Sequence, residues 1–281
     1  MSSNPVAIVT GSNKGLGFAI VKGLCERFKG TVYLTSRDEE RGRKACEKLR
    51  EDGLNPEYHQ LDVTDTESVV KFIVFLKQRH EKIDLLINNA GILFLKDAKE
   101  TKLQQAEQTV FVNFISLVTF TEAIIPIMND KGNIINISSS SGHLSRIPSE
   151  ELRNKIKSPD LQFDDLVKLM NDYVEAVKLG KEVTEGWGES PYVVSKVAVN
   201  AYTFMLNQKL SDRGILVNCV HPGYVISDMT KGAGNVTPED AAEVPLKVAL
   251  NPQAGGQFFW HNGQTVPWDG PDPRGYIDGK V

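Results

Sequence analysis

The chain has 281 residues, of which 41% are hydrophobic and 24% charged, and its formal net charge is −4. These values are typical of a soluble globular protein, and the lack of basic clusters excludes nucleic acid and anionic membrane surfaces as expected partners. Three cysteines without a CxxC pair argue against a disulfide framework. Apolar runs such as FIVFL are too short to span a bilayer, and the first residues do not resemble a signal peptide. We therefore expect a cytoplasmic protein.

Short apolar segments alternate with longer segments of helical periodicity along the chain. The segments predicted as strands are Val6–Thr10, Thr31–Ser36, Glu57–Leu61, Ile83–Asn88, Gly132–Ser138, Ile215–Val220 and Gly256–Trp260. Gly15–Phe28 and Glu67–His80 are examples of the predicted helices between them. Alternating elements with strands that are apolar throughout are typical of a parallel sheet covered by helices on both faces. We predict one α/β domain over residues 1–281, a Rossmann-type doubly wound parallel sheet of about seven strands.

Two regions depart from this alternation. The region 141–189 is long and mostly polar, but within it apolar residues recur at helical spacing: Phe163, Leu166, Val167, Met170, Val174 and Val177. This pattern predicts an amphipathic helix docked on the body, so we interpret the region as a helical insertion. The tail 262–281 is rich in Gly, Pro and Asp, which predicts irregular structure held in place by Trp268 and Tyr276.

A glycine-rich segment, TGSNKGLG, follows the first strand and leads directly into a helix. Glycines let the chain turn sharply beside a phosphate, and a helix N-terminus adds free N–H groups and a partial positive charge. The spacing GxxxGxG differs from the common GxGxxG, but its place between strand and helix favours dinucleotide binding. The residues predicted to contact the cofactor here are Gly11, Asn13, Lys14, Gly15, Leu16 and Gly17.

The end of the second strand indicates which dinucleotide binds. An acidic residue there binds the ribose hydroxyls of NAD, whereas an arginine accommodates the 2′-phosphate of NADP. Arg37 and Lys14 favour NADP(H), while Asp38 keeps NAD open as an alternative. Asp62 and Val63 follow the third strand, where the Asp62 carboxylate either accepts a hydrogen bond from an adenine amino group or caps the next helix.

Tyr192 and Lys196 lie four residues apart, a spacing that places both side chains on one face of a helix. A tyrosine hydroxyl titrates at about 10, and a neighbouring ammonium lowers that pKa. The pair alone is weak evidence, because Tyr-x-x-x-Lys occurs by chance in many helices. No GxSxG elbow supports a serine hydrolase, and His143 and His221 lack further ligands at metal spacing, so we expect no metal.

Five motifs in order make the chain resemble the classical short-chain dehydrogenase/reductase family over nearly its whole length: TGSNKGLG, NNAG, NISS, YVVSK and HPG. SNKG, TSRD and the long segment before Tyr192 are most similar to the monomeric cytosolic NADPH-dependent carbonyl reductases. The resemblance implies the catalytic set Asn113, Ser139, Tyr192 and Lys196. It also implies cofactor contacts from Asn89, Gly91, Tyr192, Lys196, Pro222, Gly223 and Val225. Ser138, Ser140 and Ser141 stay open as alternatives to Ser139, and Asn113 is also of a type that caps helices or fills cores.

The resemblance implies reduction of lipophilic aldehydes, ketones or quinones with NADPH. Tyr192 would donate the proton, Ser139 would hold the carbonyl oxygen, Lys196 would lower the pKa of Tyr192, and Asn113 would organise a water near Lys196. Two alternatives stay open: oxidation of a lipophilic alcohol, and a non-catalytic NADP(H)-binding regulator on the same fold. Because Ser139 and Tyr192 are unusually far apart in sequence, the resemblance also implies an insertion that covers the association helix of oligomeric relatives, and hence a monomer.

The substrate wall is expected to come from the segments after Ser139, before Tyr192 and after Gly223, with a contribution from the tail. Its apolar candidates are Leu144, Ile147, Trp187, Tyr224, Ile226, Met229 and Trp268. Such a wall suits a lipophilic carbonyl compound. A threonine typical of the family's loop after Gly223 is matched only loosely, by Ser227 or Thr230.

Overall fold

The computed structural model describes residues 4–279 and is built on a seven-stranded parallel sheet in the order β3-β2-β1-β4-β5-β6-β7. The strands are β1 Val6–Val9, β2 Thr31–Ser36, β3 Glu57–Gln60, β4 Ile83–Asn88, β5 Met128–Ile137, β6 Leu216–Val220 and β7 Phe258–Phe259. This arrangement confirms the predicted fold class. β5 begins earlier than predicted because Met128 pairs with Ile83 before a register shift in β4, and β7 is only two residues long.

Helices cover both faces of the sheet. They are α1 Gly15–Arg27, α2 Glu39–Glu51, α3 Thr66–Arg79, α4 Lys102–Val110, α5 Ser116–Ile124, α6 Glu150–Ile156, α7 Phe163–Lys178, α8 Pro191–Lys209, α9 Pro238–Leu250 and α10 Pro273–Tyr276. Most begin at a side chain that caps a free backbone N–H, as Asp38 does for α2 and Ser190 for α8. A π-helical turn, Phe111–Ile115, joins α4 to α5.

The core forms two layers because successive strand residues point to opposite faces. In β1, Ala7 and Val9 belong to the layer beneath α1, α2 and α9, whereas Ile8 belongs to the layer beneath α3, α5 and α8. Leu85 and Leu86 divide between the same two layers in β4. Each short apolar strand therefore contributes side chains to both core layers. The carboxyl ends of the strands form the site.

The insertion folds as the sequence predicts, with an additional helix. In α7, Leu166 and Met170 are fully buried against the core. The remaining apolar residues of the predicted stripe are partly buried against the same cluster: Phe163, Val167, Val174 and Val177. α7 packs on α4 and α8, and the short α6 precedes it. The amphipathic helix is thus confirmed.

The tail is anchored by tryptophans rather than by Tyr276. Trp268 donates its indole N–H to the Gly142 carbonyl at 2.7 Å and packs on Phe204. Trp260, fully buried, donates to Asp278 at 2.9 Å. Tyr276 is 57% exposed, so the prediction that it anchors the tail is wrong. Residues 280 and 281 of the predicted tail lie outside the described residues.

One helical stretch, Lys102–Ile127, is long and apolar enough to cross a membrane by length and composition alone. Of its most apolar window, 56% is buried inside the protein, which is the behaviour of a core helix. The three cysteines are free thiols, and burial raises the pKa of Cys46 to about 11.

Candidate active site

The carboxyl ends of the strands from β3 to β6 open onto one cavity of about 1660 Å³. In doubly wound sheets ligands bind at this edge, beside the point where the strand order reverses, which here lies between β1 and β4. Neighbouring strands lie about 4.8 Å apart, so the five steps from β3 to β6 cover about 24 Å. The cavity therefore has room for an extended dinucleotide.

The glycine loop is shaped in ways that only glycine allows. Gly11 and Gly15 have φ of 60° and 56°, in the left-handed region that disfavours a side chain. A Cβ on Gly17 would lie 2.5 Å from the Asn89 amide nitrogen and 2.8 Å from the Ser12 Cα. That amide donates to the carbonyls of Thr10 and Gly11 at 2.9 and 3.0 Å, which ties the loop to the end of β4. Residue 14, which precedes α1, makes no side-chain cap, so the first N–H groups of α1 are available to a phosphate.

The charged residues that follow β2 and β3 bear on whether the cavity accepts NAD(H) or NADP(H). Arg37 lines the cavity, and its guanidinium has no hydrogen bond or ion pair within residues 4–279. Asp38 instead caps α2, accepting from the Arg41 N–H at 2.9 Å. Asp62 lines the cavity and accepts from the backbone and hydroxyl of Thr64 at 2.9 and 2.6 Å. Because Asp65 caps α3, the capping alternative for Asp62 is wrong.

Two ion pairs hold the segment 224–236, which follows β6 and lines the cavity. Lys14 of the glycine loop lies 2.6 Å from Asp228. Lys231 pairs with Asp97 in the loop after β4. Both pairs are exposed, so salt screens them. Lys14 is therefore shared between the nucleotide side of the cavity and the segment 224–236.

Tyr192 and Ser139 form the polar pair at the end of β5. Ser190 caps α8, which places Tyr192 in the first turn of that helix and at the cavity wall. The Ser139 hydroxyl accepts from the Ser141 N–H at 3.1 Å, and both Ser139 and Tyr192 line the cavity. Burial raises the pKa of Tyr192, and the neighbouring Ser139 side chain opposes that change. Tyr192 is therefore a protonated phenol at neutral pH.

Lys196 lies one turn after Tyr192 and is 5% exposed. Its ammonium donates to the Ile137 carbonyl at 2.8 Å and lies 5.7 Å from the centre of the Tyr192 ring. Burial lowers the pKa of Lys196 to about 8. Burial dominates the pKa of the Tyr192 phenol, and the expectation that Lys196 lowers that pKa stays a prediction.

Asn113 lies in the π-helical turn and is 1% exposed, behind the cavity wall. Its side chain accepts from the Ile92 N–H at 2.7 Å and donates to the Ile92 carbonyl at 2.9 Å and the Ser195 hydroxyl at 3.2 Å. π-Turns inside α-helices are frequent at functional sites. Asn113 thus joins the loop after β4 to α8, and its role beside a water at Lys196 stays a prediction.

The cavity brings together most of the residues predicted from the sequence. All the predicted cofactor residues line it, as do Ser138, Ser139, Ser140 and Ser141, whereas Asn113 lies behind its wall. Tyr224, Ile226 and Met229 line it and are substantially exposed. The other expected wall residues pack inside the protein instead, because apolar side chains beside these turns bury against the helices: Leu144, Ile147, Trp187 and Trp268.

Some lining residues were not predicted. Phe111 and Val112 come from the π-turn, and a second group comes from the insertion and the tail: Arg146, His261, Arg274, Ile277 and Asp278. Their sequence spacing carries no signal, since only the folded tail brings them to this edge. Ser227 and Thr230 are the two loose matches to the threonine that the family carries in the loop after Gly223. Thr230 is buried and donates to the Val225 carbonyl at 2.8 Å, while Ser227 lines the cavity. Within the described part of the chain, no group of three metal-ligating side chains is present.

Comparisons with known proteins show the family of the chain. The family model described as short chain dehydrogenase matches residues 5–149 and 180–236, and the gap between them contains α6 and α7. NADPH carbonyl reductase 1 of Rattus norvegicus is 39% identical over 277 residues, which is 95% of this chain and 99% of the relative.

Two solved structures are also similar. Salutaridine reductase from Papaver somniferum has a TM-score of 0.84 and 31% identity, covering 91% of this chain and 99% of that one. The NADPH-bound carbonyl reductase from chicken fatty liver has a TM-score of 0.71 and 25% identity, covering 95% of this chain and 100% of that one. The chain belongs to the short-chain dehydrogenase family and is an oxidoreductase of that family.

Proposed function

We propose that this protein reduces carbonyl groups of lipophilic aldehydes, ketones or quinones with NADPH. The observation that carries the proposal is the joint placement of Ser139, Tyr192 and Lys196 at the wall of the cavity that the glycine loop also lines. Bound NADPH would supply the hydride. Ser139 would hold the carbonyl oxygen while Tyr192 donates its proton, and general-acid help of this kind is worth roughly 10²- to 10⁴-fold.

The protonation state of Tyr192 suits its proposed role as a proton donor. Reduction needs a phenol that gives up a proton, whereas oxidation of an alcohol needs a phenolate that accepts one. Because burial raises the pKa of Tyr192, the phenol is the abundant form at neutral pH. Lys196, whose pKa is lowered to about 8, is a group that can return a proton towards the site in the neutral range.

The choice of NADP(H) over NAD(H) rests on residues 37 and 38. Arg37 lines the cavity with a guanidinium that has no partner among residues 4–279, and a guanidinium matches the geometry of a phosphate. Asp38, the residue that would serve NAD, is engaged as the cap of α2. The rat relative and the chicken structure carry NADPH in their descriptions, which supports the same choice.

We also propose a single-domain, cytoplasmic monomer. α7 occupies the outer side of α4 and α8 with buried Leu166 and Met170, so this face is already covered by the chain itself. Light scattering coupled to gel filtration tests the monomer, and a dimeric mass would contradict it.

The function is tested by following loss of the nicotinamide absorbance with a panel of quinones, aromatic aldehydes and diketones. We expect turnover with NADPH and much weaker turnover with NADH, and loss of that preference in Arg37→Ser. Preference for the reverse reaction, alcohol plus NADP⁺ at neutral pH, would instead support the dehydrogenase alternative. Tight NADPH binding without turnover of any compound would favour the non-catalytic regulator.

A further inference from the structure

Two arginines that no motif predicts line the active-site cavity on its tail side. Arg146 comes from the turn Leu144–Arg146 that follows the serine run, and Arg274 comes from α10. Arg274 is neutralised locally, because its Nε and Nη2 atoms both donate to Asp272. Arg146 is partly buried, and its guanidinium has no hydrogen bond or ion pair anywhere in residues 4–279.

The acidic groups nearby are committed to other partners. Asp272 binds Arg274. Asp278, the other carboxylate on this side of the cavity, accepts from Trp260 and from His261 at 2.9 Å each. The pKa of Arg274 is raised mainly by its hydrogen bond to Asp272 and to a smaller extent by the charge of Asp278. The pKa of Arg146 is lowered, first by burial and then by the charge of Arg274, while Asp272 opposes this. Within residues 4–279, therefore, no acidic group forms an ion pair with Arg146.

A partly buried guanidinium at a cavity wall, with its N–H groups free of protein partners in residues 4–279, is available to bind an anion. A guanidinium binds a carboxylate through two parallel N–H···O bonds, a geometry that lysine does not offer. Arg146 lies seven residues after Ser139 and shares the cavity wall with Ser141 and Ser190. The apolar residues Ile226, Met229 and Ile277 line the same cavity.

We infer that Arg146 binds a carboxylate on the substrate, so that the preferred substrates are lipophilic carbonyl compounds that also carry an acidic group. This inference rests on the proposed reductase function. It assigns Arg146 to substrate selection, and it leaves the hydride and proton steps to the cofactor and Tyr192.

The test uses aryl aldehydes with a carboxylate attached directly or through a short arm, each paired with its methyl ester. Each pair differs in charge but not in the reacting carbonyl. We expect a higher kcat/KM for the acid in the wild type. In Arg146→Met the ratio of acid to ester should fall roughly tenfold to a hundredfold, the value of a hydrogen-bonded charge pair. Arg146→Lys should recover part of that loss. Lys155→Met, an exposed cation on α6 outside the cavity, controls for the change in overall charge.

The outcomes separate this inference from the proposed function. If esters are reduced but acids are not preferred, or if the preference survives Arg146→Met, the inference is wrong and the reductase function stands. If neither acid nor ester is reduced, both fail. Should Arg146→Met not fold, inhibition of the wild type decides: arylcarboxylates must inhibit ester reduction more strongly than the matching amides, and equal inhibition overturns the inference.

Discussion

Burial of the Lys196 ammonium lowers the free energy of unfolding, and this loss of stability can be measured. Its pKa falls from 10.5 to about 8 on folding because burial disfavours the charged form. The difference of about 2.5 pH units, at about 1.4 kcal/mol per unit, amounts to about 3.5 kcal/mol at neutral pH. Lys196→Met removes this cost but leaves the Ile137 carbonyl without its donor, which costs about 1–1.5 kcal/mol. We therefore expect the variant to be about 2 kcal/mol more stable than the wild type at neutral pH.

The pH dependence has a definite sign. Below pH 8 the side chain is charged in both folded and unfolded states, so the full cost is present. Between pH 8 and 10.5 the unfolded chain holds the proton more tightly than the folded one, so wild-type stability rises with pH. The advantage of Lys196→Met should shrink across this window and reverse near its upper end, where only the lost hydrogen bond is left.

Urea unfolding of both proteins at several pH values between neutral and pH 10 gives the difference directly, because other titrating groups are common to both. Lys155→Met, an exposed change on α6, controls for the lost charge. A variant that is less stable than wild type at neutral pH, or a difference that does not change with pH, would refute the reasoning.

Three further variants test single contacts. Asn113→Leu strands the N–H and carbonyl of Ile92, so we expect a loss of about 2–4 kcal/mol in urea unfolding, and a loss under about 1 kcal/mol would contradict the role described for this amide. Gly17→Ala forces a Cβ against Asn89 and Ser12, so it should cost about 1–3 kcal/mol and weaken NADPH binding in fluorescence titrations. Gly275→Ala, which meets no atom within 4 Å, is its control and should bind NADPH normally. Trp268→Phe keeps the ring but removes the donor to Gly142, and we expect a loss of about 1 kcal/mol, whereas an unchanged denaturation midpoint would show that the tail is not held there.

The nucleotide side of the site was predictable from the sequence because its signals are local. The positive φ of Gly11 and Gly15 requires glycine wherever the rest of the chain lies, and the strand before them is recognisable by its apolar residues. The same holds for α8, whose cap and Tyr–Lys spacing are contained within a few residues. The alternation of short apolar segments with helical segments was enough to predict the sheet.

The substrate side was not predictable because it depends on contacts between distant parts of the chain. Trp268 seemed suited to a substrate wall, but it hydrogen-bonds Gly142, 126 residues away, and packs behind the cavity. Arg146 and Arg274 are 128 residues apart in sequence, and only the folded tail brings both to the same cavity. The pKa values of Lys196 and Tyr192 likewise depend on burial, which spacing along a helix does not reveal.

We propose the Tyr192 phenol as the proton donor in an NADPH-dependent reduction. The most direct test is a single turnover of enzyme preloaded with NADPH against an aromatic aldehyde, comparing wild type with Tyr192→Phe. Tyr276→Phe makes the same chemical change at an exposed position outside the cavity. We expect Tyr192→Phe to bind NADPH as the wild type does but to transfer hydride roughly 10²- to 10⁴-fold more slowly, with Tyr276→Phe unaffected. A Tyr192→Phe variant that binds NADPH and turns over at the wild-type rate would contradict the account.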